Sequence, residues 1–359
     1  MLKKLNDISI VALALGLTAC GGGGGSDNGS KNIENQVTPA PTIVQQPNTP
    51  VVTPSPVTPP QQPVVVNPPK SPNIQPSTPA VYTGQVYKLM PDIGGCQAGK
   101  LMPEVEQAVL NKLNEIRKLH GLESVGYDET NAEQMMRTAL VMTAKKALSH
   151  TPDNSWSCFT SDAFNGASTS NLYLIRGTKL TENIETLQND LVAWLIDENV
   201  ESSGHRRWLL DPFLKKVAYG SVSDTVSSQH VRASSLKVIY NNQGSTTAKN
   251  DVIAYPMGDY PKAYFKQGAY LSLSILVNSS SSSANRTVDF SQMKIQVKER
   301  GGQEETPLNL SFNNNFMGLP NHLQFKLKQV KENVIYDVHL ENVKVDGVPR
   351  TYDYWFQLK

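Results

Sequence analysis

Between Pro39 and Pro79 about one residue in three is proline, set among Thr, Val and Gln. No apolar residue recurs there at a helical or a strand period, and a chain without such a face cannot bury a core. The stretch reads as an extended spacer on the order of 100 Å long, at about 3 Å per residue. Whatever folds in this chain of 359 residues must therefore lie beyond it, and order is expected from about residue 82.

Ahead of the spacer, residues 1–19 read as a secretory signal. Lys3 and Lys4 supply the basic start, and Ile8 to Leu17 an apolar run too short to span a bilayer. Leu17-Thr18-Ala19-Cys20-Gly21 resembles the bacterial lipobox, which implies cleavage before Cys20 and lipid on its sulfur. Residues 20–81 then form a lipidated, disordered tether, Gly/Ser-rich and then Pro-rich. These features place the protein outside the cytoplasm, anchored to the bacterial envelope, with the outer membrane as the expected site. The formal charge is +1, and 31 basic and 31 acidic side chains remain once residues 1–19 are removed. That balance gives no reason to expect a nucleic-acid partner. With Cys20 acylated, Cys96 and Cys158 remain as an even pair, and an oxidising compartment permits a disulfide between them; two buried thiols are the alternative.

Val105, Val109, Leu113, Ile116 and Leu119 recur at helical spacing, with Pro103 suited to the first turn and Gly121 to the stop. A second helix is expected over 130–148, with Asp128 or Thr130 as N-cap and Ala132, Met135, Met136, Ala139, Leu140 and Ala147 inward. Residues 153–182 read as loops with one short strand. A third helix covers 182–198, burying Ile184, Leu187, Leu191, Trp194 and Leu195. Val217 to Gly220 and Val231 to Tyr240 read as strands. From Tyr255 onward the period changes to two. Leu271, Leu273, Ile275 and Val277 alternate, as do Met293, Ile295 and Val297, and then Tyr352, Tyr354, Phe356 and Leu358. This region reads as a small antiparallel β-sandwich that packs or binds rather than catalyses.

The stretch with chemical potential is Ser203-Gly204-His205-Arg206-Arg207-Trp208, stopped at Pro212. Asp197 and Glu198 end the preceding helix, and His150 ends the one before. Arg206 and Arg207 are expected to pair with surface acids, and Trp194 and Trp208 to be core. His120, His230, His322 and His339 show no partner pattern and read as structural.

Several pieces in order resemble the CAP superfamily, the cysteine-rich secretory, antigen 5 and pathogenesis-related proteins, in its bacterial branch. They are Leu113-Asn114-Glu115-Ile116-Arg117 with Gly121, Leu148-Ser149-His150, Ser170-Asn171-Leu172, Trp194-Leu195-Ile196-Asp197, and Gly204-His205-Arg206-Arg207 through Pro212 to Gly220. Ile253 to Pro261 looks like the segment joining bacterial members to a β-sandwich tail. The resemblance implies an α+β protein: an α-β-α sandwich over residues 82–250, followed by the small β-sandwich over 251–359 and preceded by the disordered tether. It also implies a cleft lined by His150 and His205, with Asp197 or Glu198 as an acid, able to hold Zn2+ or another divalent cation. The family's other acid is usually a glutamate where this chain has Ser170, beside Asn171. Two imidazoles and one carboxylate still match a three-ligand zinc site. The plain reading of His150 is a ring that caps its helix by bonding a carbonyl.

The expected function is an envelope-anchored binding module for an extracytoplasmic ligand, whether cell-wall, protein or lipid. One alternative is a zinc-dependent or histidine-assisted hydrolase, with Glu198 as general base or with Ser149 or Ser170 paired to a histidine. Another is lipid or sterol carriage, which needs a contiguous apolar cleft.

Overall fold

The computed structural model describes residues 86–178, 180–198, 200–226, 229–241 and 244–359. All of them fall within one compact unit. The expected leader, the expected lipidation site at Cys20 and the proline-rich stretch lie outside the described residues.

The first half runs β1 (Tyr87–Leu89), β2 (Lys100–Leu101), α1 (Pro103–Leu119), β3 (Gly126–Tyr127), α2 (Glu129–Lys145), α3 (Ser161–Ala167), β4 (Ser170–Gly177), α4 (Ile184–Ile196), α5 (Gly204–Leu209), β5 (Lys216–Val226) and β6 (Gln229–Lys237). The second half runs β7 (Val252–Tyr255), β8 (Gly258–Tyr260), β9 (Leu271–Ile275), β10 (Val288–Asp289), β11 (Lys294–Glu299), β12 (Glu304–Glu305), β13 (Leu308–Asn313), β14 (His322–Lys326), β15 (Ile335–Val345) and β16 (Val348–Leu358).

In the first half a four-stranded sheet has the order β3-β5-β6-β4, antiparallel except for the β3–β5 pair. Alternation along the strands sends successive side chains to opposite faces, and helices cover both. On one face Ser235 Oγ donates to Met135 O of α2 at 2.8 Å. Gly220 lies under the same turn: a Cβ there would sit 2.3 Å from the Met135 carbonyl carbon, so only glycine lets the helix come this close. On the other face Tyr219 Oη donates to Asp190 Oδ2 of α4 at 2.8 Å, and Trp194 Nε1 donates to Leu172 O at 3.0 Å. The α-β-α sandwich expected from the sequence is the observed architecture.

Helix α1 follows the apolar spacing, and it stops where Gly121 turns to φ +70°. Helix α2 ends earlier than the expected residue 148, because Lys146 takes the left-handed conformation. Asp128 does not cap α2 with its side chain; its carboxylate meets Lys216 Nζ at 3.0 Å and accepts from Asn131. Helix α4 is narrower than 182–198 and starts from a capping box between Asn183 and Thr186. Residues 153–182 hold more structure than expected. Thr160 caps α3 by accepting from Ala163 N, and β4 runs for eight residues. The segment was opaque because α3 is short and its inward residues are small: Ala163, Gly166 and Ala167. The disulfide Cys96–Cys158 is present, tying the turn before β2 to the loop before α3.

In the second half one sheet has the order β13-β14-β9-β7 and the other β12-β11-β15-β16-β8, with β10 on β15. The pairs are antiparallel except β8 beside β16, which is parallel. All five residues of β9 are buried, unlike a sandwich strand with one wet face. The reason is α5, which lies on the second face of that sheet.

Candidate functional site

Two short turns of chain carry the histidines. His150 follows α2, and its Nδ1 lies 2.8 Å from Ala167 O at the end of α3. A carbonyl only accepts, so Nδ1 carries the proton and Nε2 keeps its lone pair. The expected carbonyl bond is made, but to the end of α3 and not as a cap of α2, which already stops at Lys145, and it orients the ring rather than consuming it. Burial lowers the His150 pKa, the bond to Ala167 O works against this, and any positive charge on His205 would lower it further.

His205 is the second residue of α5. Its Nδ1 lies 2.7 Å from Asp197 Oδ1. Asp197 ends α4 in the left-handed conformation, which turns its carboxylate back toward α5. Its other oxygen accepts from Arg206 N at 3.2 Å. The carboxylate fixes the His205 tautomer with Nε2 as acceptor, the arrangement common behind metal-bound imidazoles. Asn171 adds a bond from Nδ2 to His205 O at 3.0 Å. Between the two acids that spacing could not separate, Asp197 faces the histidine. Glu198 is exposed and pairs with Lys266 at 2.6 Å.

Ser170 does not join the imidazoles. It is buried, with Oγ 2.7 Å from Gly166 O and 3.1 Å from Met135 Sδ. Ser149 Oγ accepts from Thr151 N. Among the described residues neither serine bonds a histidine.

Arg206 and Arg207 depart most from expectation. They are not paired with surface acids but buried, at 1% and 5% exposure. Arg206 donates from Nε to Leu195 O at 2.6 Å and from Nη2 to Ile196 O at 2.6 Å. Its Nη1 reaches Tyr270 O and Ser272 Oγ, both at 2.9 Å. Its guanidinium also stacks on the Tyr255 ring at 3.8 Å. Arg207 donates to Met317 O, Asn313 Oδ1, Asn315 O and Leu319 O. Ser203 Oγ donates to Gln324 Oε1 at 2.9 Å. The helix that presents His205 is thus held by the β-sandwich, through partners 64 to 121 residues away that no local pattern announces. Trp194 is core, whereas Trp208 is half-buried. Among the other histidines, His120 and His322 are buried, and His339 lies between Asp353 and Glu341 at the surface, a pairing the sequence did not suggest.

The described residues supply two imidazole Nε2 atoms and no free carboxylate beside them. Among them no group of three His, Cys, Asp or Glu side chains is placed to hold a metal ion. Asp197 has both oxygens engaged and Glu198 is turned to Lys266. The donor set does not fit a closed three-ligand zinc centre.

Residues 110–234 match the model of the CAP family, described as the cysteine-rich secretory protein family, so the chain carries a CAP domain. Among solved structures, an outer surface protein from Borrelia burgdorferi is 16% identical, with 38% of this chain and 95% of that one covered and a TM-score of 0.25. An extracellular protein containing an SCP domain from Bacillus anthracis is 19% identical, covering 39% and 45%, with a TM-score of 0.24. The CAP domain of enterococcal PrgA is 17% identical, covering 46% and 75%, with a TM-score of 0.27. No curated protein matches.

Proposed function

We propose that this chain is an extracytoplasmic binding protein, tethered through lipid on Cys20, whose CAP cleft engages its ligand with the Nε2 atoms of His150 and His205. One observation carries the reading. Both rings are oriented through Nδ1, leaving two lone pairs as acceptors, while each nearby candidate nucleophile or base is bound elsewhere. Glu198 in its ion pair is a poor general base, and neither serine is activated, so binding is favoured over hydrolysis. The ligand class is a donor-rich group, such as a cell-wall glycan or peptide, or one that brings its own divalent cation. Two imidazoles alone hold such a cation weakly. The disulfide accords with an oxidising compartment.

The test is a titration of the protein with Zn2+, read by the histidine ring resonances. Weak, joint movement of the His150 and His205 signals is expected, and His205→Ala should remove it. Tight one-to-one binding would restore the hydrolase reading. If neither ring responds, the cleft is not a cation-assisted one and that part of the proposal is lost.

A further inference from the structure

A cavity of about 20 Å³ lies where α5 meets the β-sandwich. Its polar lining is Arg206, Arg207, Ser272, Ser274 and His322, and the rest is apolar. About 10–15 Å³ suffices for one water molecule, so the space takes a single small species.

Two features of the lining are unusual. The first is charge. Each guanidinium has five N–H donors, and each uses four on the partners named above. Asp197 lies close enough to draw on the Arg206 charge. Among the described residues no acid does so for Arg207, whose pKa burial pushes down to about 10. No carboxylate among them lines the cavity. The second feature is His322, which is 1% exposed with Nδ1 lacking any partner among the described residues. Gln324 Nε2 donates to Glu201 O, so Gln324 Oε1 faces Ser203 and His322 as an acceptor. His322 Nε2, 3.3 Å from that oxygen, therefore carries the proton, and Nδ1 is a buried lone pair beside excess positive charge.

We propose that this cavity binds one small monoanion of chloride size, taken up together with one proton that settles on His322 Nδ1. The anion accepts from the remaining guanidinium N–H groups, the serine hydroxyls and the new Nδ1–H. Proton and anion enter as a neutral pair, so the junction gains no net charge. The groups facing His322 are Arg206 and Arg207 from α5, Ser272 and Ser274 from β9, and Gln324 on its own strand. Burial first, and then Arg207 and Arg206, disfavour its protonation, and the anion offsets the share of the arginines. The site is separate from the His150–His205 cleft.

Crystals of the protein grown at about pH 5.5, a unit below the free imidazole value, and soaked in bromide would show it directly. An anomalous peak beside His322 Nδ1 is expected. In solution, chloride should raise Tm over gluconate at equal ionic strength. A shift of about 2–4 °C is what tenfold saturation gives a chain this size. The shift should shrink at about pH 8, well above the imidazole range, and vanish in His322→Phe. Density without anomalous signal, meaning water only, overturns the proposal. So does a peak with no Tm response, meaning an adventitious ion only. If His322→Phe does not fold, the wild-type peak and the anion comparison decide together.

Discussion

The centre of the CAP layer and its junction with the β-sandwich both bury arginine, by opposite means. In the layer, Arg232 meets Asp190 with two parallel bonds of 2.8 Å, and Tyr219 and Ser234 complete the network. Burial works against the Arg232 charge, but the Asp190 carboxylate outweighs it and holds the guanidinium charged. At the junction, Arg207 meets only carbonyl and amide oxygens among the described residues, and burial drives its pKa down. One arginine is neutralised by a unit charge and the other is caged by dipoles. The layer is insensitive to its surroundings as long as the pair stays whole. The junction carries surplus positive charge and responds to anything that adds more.

That difference can be tested in order of size. Asp190→Ala should cost about 3–5 kcal/mol, because it leaves a buried guanidinium alone. Chemical denaturation would read it, and a loss under about 1 kcal/mol, the scale of a surface pair, would mean the pair is not what holds the layer. Reduction of Cys96–Cys158 should cost about 4 kcal/mol in the chain-entropy account of a 62-residue loop. The loss should appear in hydrogen exchange of the CAP layer and spare the junction, which has no covalent tie among the described residues.

Acid should do the reverse. His120, between α1 and β7, bonds Ala254 O at 2.7 Å, and burial lowers its pKa to about 4. His322 is lowered in the same way, first by burial and then by Arg207 and Arg206. The unfolded chain takes up protons near pH 6.5, before these rings do in the folded state. Stability is therefore complete above about 6.5 and falls as pH drops toward 4, by about 3 kcal/mol for His120 alone. Asp211, raised to about 6 by burial, works the other way and offsets part of this, since its neutral form suits the fold. Amide protection should fail first around α5 and β14. Simultaneous loss in β5 and β6 would erase the distinction between the regions. Arg207→Met should have the smallest effect, about 1–3 kcal/mol for acceptors left unmet, because residues 313–319 can regain water. Exchange confined to that segment is the expected signature.

Much of the layer was legible because helices and strands announce themselves by period. α1 buries Val105, Val109, Leu113 and Ile116 and α4 buries Leu187, Leu191, Trp194 and Leu195, as their spacing selects, whereas Leu119 and Ile184 at the helix ends are only half-buried; β16 buries Tyr354, Phe356 and Leu358. The two histidines were also legible, through resemblance rather than spacing. What failed has a common cause. Asp197 was inseparable from Glu198 because a left-handed residue, not a pattern, aims the carboxylate. Ser170 stood where the family places an acid, but its strand turns it to Met135 and Gly166, so Ser170→Glu should crowd α2 rather than complete a metal site. Arg206 and Arg207 look like surface cations in any window, because the oxygens that hold them lie across the junction.

Helix α5 belongs to two halves at once, and this limits how the chain can be cut. A fragment ending near residue 250 would keep every CAP motif. It would also strip Tyr270, Ser272, Asn313, Asn315 and Gln324 from the helix that carries His205. Two guanidinium groups would be bared at its new surface, and Ser203 would lose its side-chain partner. The β-sandwich is thus no interchangeable cassette: transplanting either half onto another partner would have to bring the 313–319 segment and β9 along with α5.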